Sequence, residues 1–558
     1  MILMNMKKMI LPALCSSLLL VACGGPAPLV STPIGNIDAV PLKVEPLTEA
    51  QMKAWGAADL VADTIPGMSV DKAYAELLNK KKGQTVIVAV IDSGTDIEHE
   101  DLDDVIWVNK DEIPNNGKDD DNNGYVDDIH GWNFLGDIIG ENMEYVRYLR
   151  KLGPKFEGKS EAAISAADRA DYAIYKKAKA EYDKELADVQ GNLTRYNSIL
   201  GQVKPAHEAI AKRLGKEDYN AKDLQGISNP DPATQQQIGI LSQMLNYADT
   251  VPDVIEQLEG GIEYFSGRLE THFNMTEDFR GVLGDNPDDW NDKSYGNNDV
   301  DGPSEDKEDV SHGTHVAGII AAERNNGLGM NGVANNVEIM VLRAVPDGDE
   351  YDKDIALAIR YAADNGAKVI NTSFGKYYSP HPEWVWDAIK YAASKDVLIV
   401  NAAGNEAFDL DGIQVYPNDQ ELDGSEIADN FITIGALHHD YGSEMVATFS
   451  NYGNTSVDVF APGTKIWSTM PNNTYEYQQG TSMAAPAAAG VAAVIRSYYP
   501  SLTAAQVKDI LMKSGLSSSQ NVVLGGDSSN AQAFGEISKS GNMVNMYNAI
   551  LMADKMAR

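Results

Sequence analysis

Gly480-Thr481-Ser482-Met483-Ala484-Ala485-Pro486 opens a run of small and apolar residues that reaches Tyr499. The run reads as a helix with Ser482 at its mouth. That placement suits a nucleophile. Small neighbours let a substrate carbonyl approach, and the first turn of a helix carries backbone N–H groups free to meet a developing oxyanion. A serine near a helix start is also an ordinary capping choice, so the heptapeptide needs partners before it means chemistry.

Two further segments supply them. Thr85-Val86-Ile87-Val88-Ala89-Val90-Ile91 is a continuous apolar, β-rich run, read as a buried parallel strand, and it ends in Asp92-Ser93-Gly94. Open α/β sheets place their sites at such C-terminal strand ends, although an aspartate there is otherwise a common turn residue. Ser311-His312-Gly313-Thr314-His315-Val316-Ala317-Gly318 opens a second small-residue helix, with His312 at its start. The chain order is acid, histidine, serine. That order excludes the α/β-hydrolases and the chymotrypsin type.

All three segments, in this order, resemble the motifs of the subtilisin-like serine peptidases, the subtilases. The resemblance covers about Gly83 to Leu135 and Asn286 to Ser514. It implies an α/β fold, a three-layer, doubly wound parallel sheet. It implies a serine endopeptidase acting on polypeptides, with Asp92, His312 and Ser482 as the catalytic triad. Subtilisin relatives end one strand in Ala-Gly-Asn, and the asparagine amide donates to the oxyanion. Val397-Leu398-Ile399-Val400-Asn401-Ala402-Ala403-Gly404-Asn405 matches that ending. Taken alone, Asn405 would be read as a turn residue. Val369 to Gly375 resembles the strand that pairs with substrate backbone. Ser373, Phe374, Gly375, Ala402, Ala403 and Gly404 would then flank the pocket for the residue before the cleaved bond, with Glu406 favouring polar or basic side chains there. A different class of function on the same fold is a catalytically silent binding or chaperone scaffold.

His315 raises a metal reading, because imidazoles at i and i+3 share a helix face. Zincins use H-E-x-x-H, and neither a third ligand nor a base stands nearby. The catalytic assignment of His312 is therefore preferred, with His315 packing beside the site.

The 558 residues carry 45 basic and 82 acidic side chains, a formal charge of -37. That balance speaks against nucleic acid and anionic surfaces as partners. Lys7-Lys8 and the apolar run Met9 to Val21 form an export signal too short to span a bilayer. Its end, Leu20-Val21-Ala22-Cys23-Gly24, resembles a bacterial lipoprotein box, as opposed to a plain secretory signal. Cys23 would carry the lipid, and Gly24 favours an outer-membrane location in the cell envelope. The other cysteine, Cys15, leaves with the signal, so no disulfide is expected. Only residues 24–82 separate the signal from the first strand, so a foldase pro-domain is expected to be absent or truncated.

Asp119-Asp120-Asp121-Asn122-Asn123-Gly124-Tyr125-Val126-Asp127-Asp128 sets oxygen donors at alternate positions around a glycine. Asp119, Asp121, Asn123 and the Tyr125 carbonyl repeat the spacing of a calcium loop, and Asp127 or Asp128 would finish the shell, without the closing glutamate of an EF-hand. Structural Ca2+ is expected, and no organic cofactor.

Asp92 and His312 stand 220 residues apart, and the resemblance calls for only a few tens. The excess falls between Gly136 and about Arg280. Tyr175, Tyr182, Leu186, Val189, Leu193, Tyr196 and Leu200 trace a heptad seam, broken by Pro205 and by Asn229-Pro230-Asp231-Pro232. Ile238, Leu241 and Leu245, then Val254 to Leu269, form a second periodic set. The expectation is an antiparallel helical hairpin near the active-site rim. The full organisation is then residues 1–23 signal and acylated cysteine, 24–83 tether and lead-in, 84–135 first catalytic part, 136–280 helical insertion, and 281–558 second catalytic part.

Overall fold

The computed structural model describes residues 29, 31–35, 37–421 and 424–558. The expected signal, Cys23 and the Gly24–Pro28 tether lie outside the described residues. Among the described residues no helix is long and apolar enough to cross a membrane.

The strands, in chain order, are β1 Val86–Asp92, β2 Gly131–Asn133, β3 Val337–Arg343, β4 Val369–Thr372, β5 Leu398–Ala402, β6 Phe431–Leu437 and β7 Val459–Pro462. A hairpin of β8 Ile466–Met470 and β9 Thr474–Gln478 follows. Then come β10 Leu516–Ser517, a second hairpin of β11 Asn521–Leu524 and β12 Asp527–Ala533, and β13 Asn542–Met543. Nine of these form one sheet in the order β10-β13-β7-β6-β5-β4-β1-β3-β2. Every pairing in it is parallel except β10 with β13. The central strands are rich in Val, Ile and Leu because both faces are covered. Alternation still sorts the side chains: Val88 and Val90 enter one core, while Ala89 and Ile91 enter the other.

The first core is closed by the helices Ser311–Ala321, Thr481–Tyr498, Ala504–Lys513 and Met546–Met556, the second by Asp352–Asp364 and Pro382–Ser394. The Thr481–Tyr498 helix buries a run of alanines and Gly490, so it lies close to its neighbours. A Cβ at Gly490 would come within 2.6 Å of Val333. Filling that gap would cost about 1–3 kcal/mol of overpacking.

The chain starts in mid-sheet. β1 lies between β3 and β4, with β3 and the edge strand β2 on one side and β4 to β7 built outward on the other. The reversal of strand order at β1 and β4 opens a crevice at their C-terminal ends.

The lead-in segment is part of the body. Trp55 is 1% exposed and its indole N–H donates to the Thr464 carbonyl at 2.9 Å. Asn545 Nδ2 donates to Ser69 Oγ at 2.8 Å, and the Met546 N–H donates to the Met68 carbonyl at 2.8 Å.

The insertion departs from a simple hairpin. It holds helices Glu144–Phe156, Arg169–Leu214, Pro232–Met244 and Val251–Glu270. Pro205 does not break the second of these, which runs 46 residues, about 69 Å at the standard helical rise. Pro205 lies on the exposed face, where water can meet the freed Gly201 carbonyl, while Val203, Ala206 and Ile210 bury on the opposite side. The far half of that helix builds a core with Leu241, Val254 and Leu258. The near half packs with Tyr145, Leu149, Phe273 and Tyr378.

Candidate active site

Asp92 ends β1 at the crevice. Its Oδ1 accepts the Ser93 N–H at 2.8 Å and faces His312 Nδ1 at 2.7 Å. Gly313 makes the approach feasible, because a Cβ there would fall 1.9 Å from the Gly94 carbonyl oxygen. The Gly313 N–H also donates to Ser93 Oγ at 3.2 Å, tying the helix start to the strand end. Asp92 is 1% exposed at its side chain and His312 40%. Burial works against a charged His312 ring, but the Asp92 charge and hydrogen bond outweigh it and raise the pKa above 6.5. Asp92 Oδ2 is buried without a hydrogen-bond partner among the described residues, so His312 is the carboxylate's principal source of compensation.

Ser482 stands in the first turn of its helix. Pro486 carries no N–H, which deprives the Ser482 carbonyl of its helical donor. Ser373 Oγ supplies one instead, at 2.8 Å. Ser482 Oγ donates back to the Ser373 carbonyl at 3.1 Å. Among the described residues no hydrogen bond joins Ser482 to His312. The helices that carry the two residues pack together, Ser482 is turned toward β4, and such bonds commonly tighten only with substrate bound.

Asn405 Oδ1 accepts the Thr481 N–H at 2.8 Å and the Thr481 hydroxyl at 3.0 Å. Those bonds orient the amide and leave Nδ2 to donate elsewhere. A Cβ built at Gly480 would lie 3.5 Å from the Ser482 amide nitrogen and 3.6 Å from Asn405 Nδ2. Both amide nitrogens are thus in ordinary contact range of one point beside Gly480.

Ser373, Phe374, Gly375, Ala402 and Gly404 line a cleft of about 80 Å³ beside Ser482, joined by Tyr377 and Glu406. Ala403 departs from expectation. It is 2% exposed, its N–H pairs with Ile434 and its carbonyl accepts Asn451 Nδ2 at 2.9 Å, so it points into the fold. The sequence reading missed two organisers of this turn. Thr481 Oγ1 accepts the Gly404 N–H at 3.0 Å. Asn451 Oδ1 receives the Glu406 and Phe408 amides. Thr481 lies inside the quoted heptapeptide, whereas nothing in the sequence near Asn451 marks it. His315 is also explained: Nε2 faces the Ile466 carbonyl at 3.1 Å, and burial drives its pKa down to about 3. It is a neutral structural imidazole held apart from the His312–Asp92 pair.

In the acidic loop, Asp119 and Asp121 come together with Glu112, their ligand oxygens all within 4.8 Å of one another. Glu112 was not foreseen. It is 6% exposed, Oε1 accepts the Asp120 and Asp121 amides, and Oε2 has no partner among the described residues. An orphaned buried carboxylate oxygen in an all-oxygen donor set fits a hard cation. Asn123 and Asp127 lie in the same loop and, like Asp119, also accept backbone amides. Asn123 Oδ1 caps the Tyr125 N–H at 2.8 Å, and both Asp127 oxygens cap the Asn116 and Gly117 amides. The Tyr125 ring packs among Trp132, Phe134 and Tyr361, which holds the loop to the second core.

These features define a doubly wound α/β protein with an Asp–His pair, a helix-start serine and two converging amide donors at its switch point. The chain belongs to the subtilase family, whose description matches residues 202–536. That range holds His312, Asn405 and Ser482. Asp92 precedes it, on the other side of the insertion, and the sheet brings it back between β3 and β4. The chain is similar to the thermophilic serine proteinase of Bacillus sp. (strain AK1), 44% identical over 188 residues, 34% of this chain and 43% of that protein. It is similar to Subtilisin Savinase of Lederbergia lenta, 34% identical over 236 residues, 42% of this chain and 81% of that protein. A solved cold-adapted subtilisin-like serine proteinase is 27% identical over 42% of this chain and 72% of its own, with a TM-score of 0.32. The matches span less than half of some relatives, 43% of the AK1 proteinase and 23% of the cell wall-associated protease of Bacillus subtilis (strain 168).

Proposed function

We propose that the protein is a serine endopeptidase that hydrolyses polypeptides through Asp92, His312 and Ser482. One observation carries the reading. Residues 220 apart meet as a 2.7 Å Asp92–His312 pair at the end of β1, and Ser482 bonds Ser373 just past the end of the neighbouring strand β4. Rotation of Ser482 about its Cα–Cβ bond frees Oγ from the Ser373 carbonyl. His312 Nε2 then takes the hydroxyl proton as Oγ attacks the substrate carbonyl. Asp92 fixes the imidazole so that Nε2 carries the free lone pair, and it stabilises the imidazolium. The Ser482 N–H and Asn405 Nδ2 receive the oxyanion. His312 returns the proton to the leaving amine, and water releases the acyl group by the same steps in reverse. Ser373 to Gly375 would pair with the peptide backbone, and Glu406 at the cleft would favour basic or polar side chains.

The same reading includes a lipid on Cys23 that anchors the enzyme in the bacterial envelope, outer membrane preferred. It also includes a structural Ca2+ held by Asp119 and Asp121, with Glu112 as a third carboxylate. A fluorophosphonate probe tests the catalytic assignment. It should label the calcium-loaded protein at Ser482 and leave Ser482→Ala unlabelled. An unlabelled wild type would favour the silent scaffold on the same fold.

A further inference from the structure

The helical insertion is attached directly behind the cleft, and its contacts point to a task. We propose that its first two helices brace the strand edge that presents backbone to substrate, with Tyr378 and Glu181 as positioning residues. This rests on the reading above, in which Ser373 to Gly375 pairs with an extended peptide.

Ser373, Phe374 and Gly375 line the cleft next to Ser482. Lys376 follows, with its N–H on the Tyr416 carbonyl at 2.9 Å and its carbonyl on the Tyr416 N–H at 2.8 Å. The Lys376 ammonium, on a residue 2% exposed, donates to the Glu350 carbonyl at 2.6 Å. It pairs with Asp352 at 3.0 Å and with Glu144 at 3.2 Å. Glu144 is the first residue of the insertion's first helix. The next residue, Tyr377, lines the cleft, lies against the Phe408 ring at 6.0 Å and also touches the insertion's core.

Tyr378 completes the brace. It is 6% exposed, and its hydroxyl donates to Glu181 Oε2 at 2.6 Å on the long helix. Its ring meets Tyr145 at 6.3 Å and Tyr148 at 6.0 Å on the first helix, and Lys177 Nζ sits 4.4 Å over its face. The strap from Gly375 to Tyr378 therefore has the cleft on one side and two insertion helices on the other. A backbone edge that must accept a peptide, here the segment just past β4, binds best when it is already ordered. Otherwise each binding event has to immobilise it. The insertion holds this edge in place before substrate arrives, and a displacement there would be felt by an extended peptide more than by a small acyl donor.

The test uses the full chain with Tyr378→Ala, Glu181→Ala and Glu181→Gln. Turnover of a fluorogenic hexapeptide is compared with turnover of a small p-nitrophenyl ester and with the fluorophosphonate labelling rate. Tyr378→Ala should raise KM for the hexapeptide about tenfold while kcat, the ester and the labelling rate stay within about twofold. Glu181→Ala should raise KM about threefold, and Glu181→Gln, which still bonds the hydroxyl, should restore it. If Tyr378→Ala does not fold, Glu181→Ala and its Gln rescue decide alone. A lowered melting temperature with unchanged hexapeptide KM in these variants would overturn the proposal and leave the contacts purely structural. If the wild type itself is not labelled, the peptidase reading has failed. The brace is then judged by the Kd of a fluorescent hexapeptide, which must weaken in Tyr378→Ala for the proposal to stand.

Discussion

Glu112→Gln is the sharpest probe of the cation site, because it should have opposite effects with and without calcium. Glu112, Asp119 and Asp121 hold ligand oxygens within 4.8 Å of one another. At that separation two unit charges repel by about 0.9 kcal/mol in water and about 3.5 kcal/mol at an effective dielectric of 20. Three pairs therefore cost at least about 3 kcal/mol without a cation, and more where Glu112 is buried. A cation that binds only the folded state at a hundredfold excess over its Kd returns about 2.7 kcal/mol. At about 2 °C per kcal/mol for a large domain, calcium should lift the melting temperature of wild type by about 5 °C. Glu112→Gln removes two of the three repulsive pairs and one charged ligand. In chelator it should melt higher than wild type, and with calcium lower, with less than half the calcium-induced shift. Differential scanning calorimetry on a Ser482→Ala background, with and without chelator, avoids autolysis and reads all four melting temperatures. Asp127→Asn is the control. It should melt lower in both conditions and keep its calcium response, because Asp127 caps amides and leaves the cluster alone. The reasoning is refuted if the Glu112→Gln apoprotein melts no higher than wild-type apoprotein and its calcium response is unchanged.

Three further outcomes follow from the geometry. Asn405→Ala should lower kcat by about 10²–10³ with little change in KM, the magnitude being that of the corresponding subtilisin asparagine, and steady-state kinetics on one peptide would show it. General-base catalysis needs neutral His312, and the Asp92 charge holds its pKa above 6.5. The acid limb of kcat/KM should therefore lie above that value and should shift downward in the residual activity of Asp92→Asn. The linked stability runs the other way. The folded state holds the His312 proton more tightly, so the pair stabilises in full below the ordinary histidine value, and the contribution is lost as pH rises through the raised one. Asp354→Asn should cost about 3–5 kcal/mol by urea denaturation at unchanged m-value, since it leaves buried cations short of a partner. Arg280 meets both Asp354 oxygens at 2.7 Å and Lys353 shares Asp285 with it, all with side chains at most 2% exposed. A loss under about 1 kcal/mol would show that Asp285 alone compensates both cations.

What the sequence determined by itself was whatever lies in a short window. Asp92, His312 and Ser482 were legible because each sits at an element boundary, where small residues and β-rich or alanine-rich runs mark both the backbone and the chemistry. The central strands from Val86 to Pro462 were legible for the same reason, since a strand buried on both faces must be apolar at every position. The heptad from Tyr175 to Leu200 announced a long helix. Its continuation through Pro205 depended on which face that residue presents, and only packing decides a face. Glu112 stands outside the alternating loop and enters the site because the chain folds back on Asp120 and Asp121. The amides that Asp119, Asn123 and Asp127 accept shape the loop, and no spacing rule records them. Ala403 shares its motif with Ala402 and Gly404, yet strand alternation turns it inward. The clamp of Glu144 with Lys376 and Glu181 with Tyr378 joins segments up to 232 residues apart, and no local pattern records it. Local sequence specifies elements and the residues at their ends, because backbone preference and side-chain period act over a few residues. Partners across the crevice, the orphaned oxygen and the brace come from chain segments brought together by burial, and only the tertiary structure decides them.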